Sequence, residues 1–312
     1  MFSKLTTAVA VLLGYASAGD RFYIDQETQT LRTPEGRHTI FHGVNAVYKV
    51  APYIPISDKY DSQDSMTDVD IQNLYDWGFN FVRLGVMWEA VERSPGVYDS
   101  AYLDKVDALI TKLGKKGIYT MVDAHQDIFA RKICGEGIPN FYAKQVIDNG
   151  IYCLDKKFDF LLEPVVKKFG MCKSMDDYDL RYDSDGNPLI EDCQKYNFAA
   201  IYTSPEALTI QRAFYYNDLG IKDKFVSFWK VMAKRFATNE YVVAYDPLNE
   251  PAPAARDLGG FLGNLWPGNL DKNRIAPLYT DIAKAYSKID GGSIMGFEPT
   301  PLPPDALFNM GF

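Results

Sequence analysis

From about residue 39 onward, short apolar runs alternate with segments whose apolar residues recur every three or four positions. The apolar runs predict strands at residues 40–44, 79–86, 118–123, 241–248 and 293–297. The helical spacing, with capping and stop residues, predicts helices at residues 68–77, 101–116, 223–236 and 276–289. Repeated strand–helix units of this kind predict a parallel sheet, either doubly wound or closed into a barrel.

The choice between these two folds depends on nucleotide-binding signals. No GxGxxG fingerprint follows any predicted strand, which removes the main reason to prefer a doubly wound sheet. The sequence therefore predicts an α/β fold of the (β/α)8 TIM-barrel type, in which about five of the eight βα units can be counted. A hairpin-like segment at residues 22–37 is expected to close the floor of the barrel.

One region, at about residues 129–216, breaks the alternation and reads as an insertion in the barrel domain. It holds all four cysteines of the chain, Cys134, Cys153, Cys172 and Cys193. An even number in a secreted chain predicts two disulfides, for which three pairings exist. The short loops favour Cys134–Cys153 with Cys172–Cys193. No CxxC spacing occurs, so no zinc site is expected.

The N-terminus is typical of a secretory signal peptide at residues 1–18. Lys4 precedes a short apolar core, and Ala16-Ser17-Ala18 supplies a small-residue cleavage pattern. The predicted mature chain is one barrel domain, residues 19–312, in the extracellular space or a lumen such as that of the lysosome. An uncleaved N-terminus is the alternative.

Charge and hydropathy limit the partners. A net charge of −8 makes a nucleic-acid partner unexpected, because phosphate binding needs a basic surface. No run of about 18 apolar residues occurs, so no membrane span is expected. Neither a GxSxG elbow nor a P-loop is present, which argues against a serine hydrolase and a nucleotide-phosphate site.

The predicted strand ends carry polar residues, and barrel active sites lie where strands end. Glu250 follows an apolar strand and precedes a proline. We expect its carboxyl group to be partly desolvated beside other carboxylates and to act as a general acid. A loop carboxylate with a surface partner is the structural alternative.

Two further strand ends carry charge. Asp123, His125 and Asp127 alternate, so an extended backbone would place them on one face. They would bind sugar hydroxyls, form a buried network or hold a metal; we favour sugar binding and expect no metal. Arg83 lies inside an apolar strand and needs a carboxylate partner, either a catalytic carboxylate or a structural one.

Six segments, taken in order, are similar to glycoside hydrolase family 5, and more narrowly to its endoglycoceramidase branch. They are FHGVNAVYKVAPY, NFVRLGVMWEAVE, DAHQDIF, CGEGIPNFYA, FVSFWKVMAKRF and YDPLNEP. The resemblance covers nearly the whole predicted mature chain.

The resemblance implies retaining hydrolysis of a β-glycosidic bond by two glutamates, without a cofactor. Glu250 would be the acid/base, Asn249 would bind the sugar 2-hydroxyl, and Arg83 would hold the nucleophile's carboxylate. Three positions match residues that bind the sugars: Lys49, Asp123 and His125.

The implied substrate is a glycosphingolipid, cut between glucose and ceramide. The expected partners are this glycolipid or an oligosaccharide, together with transient contact with lipid surfaces. The alternatives are a glucosidase for glucans, glucosylceramide or steryl glucosides, and a non-catalytic protein that binds carbohydrate or lipid.

The nucleophile of the family follows the seventh strand, whereas only five strands are predicted before Phe312. Glu298 follows the fifth strand, where it would line the site, serve the structure or act as nucleophile. We therefore expect the chain to be a fragment, a truncated gene model or a splice form that folds poorly and hydrolyses nothing alone.

A ceramide would need an apolar groove beside the sugar site. The candidate walls are Trp88 and the loops at residues 138–141 and 261–266, including Phe141 and Trp266. Ordinary loop packing is the alternative explanation for these apolar residues.

Overall fold

The computed structural model of the chain describes residues 21–252, 254–264, 266 and 268–300, so the predicted signal peptide lies outside the described residues. The strands are β1 Tyr23–Asp25, β2 Thr30–Arg32, β3 Gly43–Ala46, β4 Phe81–Gly85, β5 Glu92–Ser94, β6 Val97–Tyr98, β7 Tyr119–Asp123, β8 Val242–Asp246 and β9 Ile294–Met295. The helices are α1 Asp68–Asp76, α2 Trp88–Val91, α3 Ser100–Gly114, α4 Asn140–Asp148, α5 Asp159–Lys167, α6 Ile190–Cys193, α7 Phe198–Tyr202, α8 Pro205–Tyr216, α9 Ile221–Phe236, α10 Leu258–Asn264 and α11 Ala276–Tyr286.

The central sheet has five parallel strands in the order β3-β4-β7-β8-β9. Each of the five predicted strands is found. Helices connect each strand of the sheet to the next parallel strand, as a barrel of βα units requires. The first strand begins later than predicted, because Ile40 is 83% exposed and lies outside the sheet. The register places Asp123 of β7 directly beside Asp246 of β8, so their carboxyl ends lie level.

The four predicted helices are present as α1, α3, α9 and α11, with ends shifted by a few residues. Thr67 and Asp70 form a reciprocal capping box that fixes the start of α1. Crossing a bilayer would take a longer, more apolar helix than any in the described part of the chain.

The main core lies between the sheet and these helices. The apolar stripe of α9 is fully buried, and its Trp229 packs edge-on against Tyr245 of β8. Trp88 of α2 packs against Phe225 and Phe228 of α9. These aromatic contacts hold α9 against the sheet and so position the strand ends.

The β1–β2 hairpin lies at the N-terminal end of the sheet, as predicted for a barrel floor. Phe22, just before β1, packs edge-on against Tyr119, the first residue of β7, and against Phe41. Val243 of β8 belongs to the same small cluster. The insertion and the polar strand ends lie at the opposite, carboxyl end of the sheet.

The disulfide pairing favoured from the sequence is wrong. The bonds join Cys134 to Cys193 and Cys153 to Cys172. Separation along the chain is a poor guide here because helix α4 lies between Cys134 and Cys153 and carries the chain away. The first bond joins the start of the insertion to α6, and the second closes a loop of its own around α5.

This pairing can be checked by peptide mapping under non-reducing conditions. We expect linked peptides for Cys134–Cys193 and for Cys153–Cys172. Replacing Cys134 and Cys193 by alanine should lower the free energy of unfolding by about 4 kcal/mol. Replacing Cys153 and Cys172 should lower it by about 3 kcal/mol, because this bond closes a shorter loop. Recovery of a Cys134–Cys153 peptide from native protein would contradict the structure.

Candidate active site

The guanidinium group of Arg83 occupies the centre of the carboxyl end of the sheet. Its Nε donates to Asp246 Oδ2 at 2.8 Å, and Nη1 lies 3.0 Å from Asp123 Oδ2. Nη2 donates to Asn249 Oδ1 at 3.0 Å and to Glu298 Oε2 at 3.2 Å. One cation therefore joins the ends of β4, β7 and β8 to the segment that follows β9.

Three carboxyl groups around one guanidinium leave an excess of potential negative charge. Asp123 is completely buried, and burial raises its pKa. Burial and the Asp246 carboxylate raise the pKa of Glu298 to about 7, although Arg83 opposes the shift. Burial thus favours the protonated form of both Asp123 and Glu298. The carboxylate partner required by Arg83 is confirmed.

Glu250 lies beside this cluster but is not buried in it. Gln126 Nε2 donates to the carbonyl oxygens of Asn249 at 2.7 Å and of Glu250 at 3.2 Å. This anchor holds Glu250 in the left-handed region, with φ 39°, where the chain leaves the sheet. The side chain of Glu250 is exposed. The prediction that its carboxyl group is partly desolvated is therefore wrong, as far as the described residues surround it. The backbone is fixed while the carboxyl group stays open to solvent.

Asn249, by contrast, is buried and held from both sides. Its Oδ1 accepts the bond from Arg83, and its Nδ2 donates to the carbonyl of Gln126 at 3.1 Å. The amide orientation is therefore fixed by the same arginine that organises the carboxylates.

A second group of charges extends from Asp123 along the predicted alternating segment. His125 Nδ1 lies 2.7 Å from Asp123 Oδ2, and His125 Nε2 lies 3.4 Å from Asp127 Oδ2. Lys49 pairs with Asp127 and lies 3.4 Å from Glu136 Oε1. The structure thus brings Lys49, His125 and Asp123 together in one continuous chain of polar contacts that leads to Arg83.

The pKa values of His125, Asp127 and Glu136 in this second group are strongly shifted. Burial lowers the pKa of His125, but bonds to Asp123 and Asp127 outweigh it and raise the value to about 9. Burial and the neighbouring Asp127 carboxylate raise the pKa of Glu136 to about 8. Burial acts to raise the pKa of Asp127, yet its bonds to His125 and Lys49 hold it at about 2. At neutral pH, Glu136 is mostly neutral and Asp127 is charged.

Ligand atoms of His125, Asp127 and Glu136 lie within 4.8 Å of one another, a spacing that a metal ion could bridge. The Lys49 ammonium already pairs with both carboxyl groups. A divalent cation would have to displace it against charge repulsion. The expectation of no metal therefore stays a prediction, and the lysine favours it.

An open cleft of about 820 Å3 begins at Lys49, Asp127 and Glu136. The segment after β3 forms one wall, and the insertion between β7 and α9 forms the other. Aromatic and aliphatic side chains line it farther out: Tyr48, Ile190, Tyr196 and Phe198. The cleft joins charged hydrogen-bonding groups to apolar faces, a combination that suits sugar rings.

The predicted walls of a ceramide groove are only partly supported. Trp88 is 2% exposed and Ile138 is also buried, so both are core residues and the prediction for them is wrong. Their apolar surface is used by packing, for Trp88 against α9. Phe141 is half-buried against Tyr142, while Trp266 is 76% exposed. The side chain of Phe261 lies outside the described residues.

Three site residues were not predicted from the sequence: Gln126, which holds Asn249 and Glu250, and the acidic residues Asp246 and Glu136. Asp246 ends β8 as Asp123 ends β7, and an acidic residue at the end of an apolar strand could have indicated it. Glu136 is separated from Asp127 along the chain, and only their antiparallel bridge brings the two together. The sequence offers no comparable local signal for Glu136.

The family profile for cellulase (glycosyl hydrolase family 5) matches residues 41–292. The chain belongs to glycosyl hydrolase family 5. The match includes every strand end described above except Glu298. It also supports the (β/α)8 fold class for the five-stranded parallel sheet.

Proteins named endoglycoceramidase and glucosylceramidase are among the relatives of the chain. The chain is 33% identical to an endoglycoceramidase of Cyanea nozakii over 88% of this chain and 50% of that one. It is 29% identical to an endoglycoceramidase of Hydra vulgaris over 89% of this chain and 50% of the relative. A glucosylceramidase of Aspergillus fumigatus is 30% identical over 36% of this chain and 17% of its own.

Among solved structures, endo-glycoceramidase II from Rhodococcus sp. has a TM-score of 0.59 at 23% identity, covering 87% of this chain and 51% of its own. An endogalactoceramidase has a TM-score of 0.60 at 21% identity, covering 90% of this chain and 53% of its own. These likenesses support the family 5 fold. The chain spans about half the length of the endoglycoceramidases that it matches.

The raised pKa of Glu136 predicts a pH-dependent stability. A carboxyl group with a raised folded-state pKa contributes stability fully below its ordinary value of 4.5, and that stability is lost as the pH rises through about 8. We expect Glu136→Gln to reduce the difference in unfolding free energy between pH 4.5 and pH 9 by about 4 kcal/mol.

The measurement is urea unfolding at both pH values, with Glu27→Gln, an exposed glutamate in the β1–β2 turn, as matched control. The control should leave the pH dependence unchanged. An unchanged slope in Glu136→Gln would show that Glu136 is not protonated in the folded protein near neutral pH.

Proposed function

We propose that this family 5 protein hydrolyses glycosphingolipids with retention, cutting the β-glycosidic bond between glucose and ceramide. The observation that carries the proposal is the position of Asn249 and Glu250 at the end of β8, beside the carboxylate cluster of Arg83. The similarity to endoglycoceramidases over most of this chain supports the choice of substrate.

Glu250 is proposed as the acid/base. Its exposed carboxyl group is free to reach a glycosidic oxygen, to which it would donate a proton as the bond to the sugar breaks. It would later remove a proton from the water that releases the sugar. Bound substrate would supply the desolvation that the described residues do not, and a drier site would favour the protonated form.

Asn249 is proposed to bind the 2-hydroxyl of the sugar at the cleavage point. Its buried amide is held by Arg83 and Gln126, so no side-chain entropy is lost when the substrate arrives. The charged groups beyond it, Lys49 and Asp127 with neutral Glu136, would bind hydroxyls of sugars lying in the open cleft.

Glu298 is proposed as a carboxyl group that lines the site, and we assign no nucleophile among the described residues. A nucleophile must be ionised, whereas Glu298 has a pKa of about 7 and is partly protonated at neutral pH. The family resemblance places the nucleophile after a seventh strand. Glu298 is better suited to hold Arg83 in place.

A glucosidase that removes single glucose units from ceramide is the second candidate. The similarity to a glucosylceramidase supports it, although that similarity covers only about a third of this chain. The open cleft favours the first candidate, because it has room for sugars beyond the glucose that is joined to ceramide.

We further propose that the protein acts outside the cell or in a lumen, where it meets lipid surfaces transiently. Two disulfides support this proposal, because such bonds persist in oxidising compartments. The predicted signal peptide is consistent with that route.

Glu250→Gln in the full-length protein should reduce kcat for a glycolipid by about 100- to 10,000-fold, the contribution expected of a general acid. The loss should be smaller for an aryl glycoside whose leaving group needs no proton. Glu240→Gln is the matched control, because Glu240 is exposed just before β8 at the opposite end of the sheet. Equal, normal turnover in both variants would contradict the assignment.

Product analysis separates the two candidate substrates. With lactosylceramide, we expect intact lactose and ceramide, detected by mass spectrometry. Release of glucose from glucosylceramide alone, with lactosylceramide untouched, would support the glucosylceramidase instead. Binding of both lipids without any product would point to a non-catalytic binding protein.

A further inference from the structure

The disulfide Cys153–Cys172 closes a loop, here called the Cys153–Cys172 loop, that carries helix α5. None of the nine residues of α5 is buried. A helix with several apolar residues and no buried position is unusual in a folded domain, because such residues normally face a core. The loop therefore presents apolar surface that packing within the described residues does not use.

The apolar residues of this loop form two faces. Leu162 and Val166 face inward and pack on the small cluster around the disulfide. The outward face is formed by five exposed apolar side chains, which we call the outer stripe: Phe158, Phe160, Leu161, Val165 and Phe169. Phe160 is 74% exposed and Phe169 is 80% exposed. Phe158, Leu161 and Val165 follow a spacing of three or four residues along one side of α5, and Phe169 lies in the turn just after the helix.

Lysines flank the outer stripe at both ends. Lys156 and Lys157 precede the helix, Lys167 and Lys168 end it, and all four are exposed. The loop also holds three acidic residues: Asp155 and Asp159 accept bonds from the backbone at the start of the helix, and Glu163 pairs with Lys167. Four lysines against three acidic residues make this apolar loop slightly basic, on a chain whose net charge is −8.

The loop lies on the same side of the sheet as Glu250. It belongs to the insertion that follows the carboxyl end of β7. Arg212 of α8 donates to the carbonyl of Cys153 at 2.6 Å and to the carbonyl of Ala255, five residues past Glu250, at 3.4 Å. A surface that binds to the outer stripe would therefore lie near the candidate active site.

We propose that the outer stripe and its lysines dock the protein on an anionic lipid bilayer, with the aromatic side chains at the level of the headgroups and the lysines against acidic headgroups. An apolar helix face flanked by lysines fits this partner, because burial of apolar area and attraction to anionic lipid add together. The choice of a bilayer over a protein partner rests in part on the proposed function, since a glycosphingolipid is presented in a membrane.

The test is sedimentation of the protein with vesicles of phosphatidylcholine containing about 30% phosphatidylserine and no glycolipid. We expect the double variant Phe160→Asp/Phe169→Asp to weaken vesicle binding by at least tenfold, because both side chains are exposed and would leave the fold intact. The matched control is Ile40→Asp, an equally exposed apolar residue beside the opposite end of the sheet. It should change binding by less than twofold.

A second variant tests the charges: Lys156→Gln/Lys157→Gln/Lys168→Gln should weaken binding to phosphatidylserine vesicles by up to about fivefold per lysine. Binding to pure phosphatidylcholine should not change. Both variants should retain the melting temperature of the parent protein.

The proposal is overturned if the parent protein does not sediment with vesicles, or if the two stripe substitutions leave binding unchanged. It is also overturned if they instead dissolve a dimer seen by light scattering, since a second copy would then occupy the stripe. The vesicles contain no substrate, so the outcome is independent of hydrolysis. Glu250→Gln should bind vesicles like the parent protein, whether or not its activity is lost.

Discussion

A partly buried arginine among carboxylates is the constraint on which this site depends. Arg83 lies in an apolar strand, and its charge would be costly there without partners. Asp123 and Asp246 are two of these partners, at the ends of β7 and β8. Glu298, which follows β9, is the third. Because each partner comes from a different strand, neutralising the arginine also fixes the relative height of the strand ends. The site is therefore ordered before any substrate binds.

The same constraint separates the charged states of neighbouring groups. Burial and the Asp246 carboxylate raise the pKa of Glu298 to about 7, and burial raises the pKa of Asp123 as well. Farther along, His125 and Lys49 hold Asp127 ionised, and Glu136 keeps its proton. Acceptors and donors thus alternate from Arg83 to the open cleft. Such an arrangement can bind several sugar hydroxyls without leaving a buried charge unpaired.

The fold was largely predictable, and the site was predictable in part. Strand and helix periodicity is local, so the five strands and four main helices could be located from residues such as those of α9. Arg83 was expected to have a carboxylate partner because burial of a lone charge is costly. Glu136 and the disulfide pairing depend on how the insertion folds back on itself, which no local pattern encodes. The exposure of Glu250 could not be predicted either, since it depends on the elements that surround the strand end.

The central claim is that the carboxyl group of Glu250, set beside the Arg83 cluster, supplies and removes the proton in a two-step hydrolysis. The most direct measurement is turnover of an activated β-glycoside by Glu250→Ala in the full-length protein with added azide. Azide needs no base to attack a glycosyl-enzyme, so it should take the place of water. We predict a rate that rises with azide and a product that is the β-glycosyl azide. A variant with normal turnover and no azide adduct would contradict the claim.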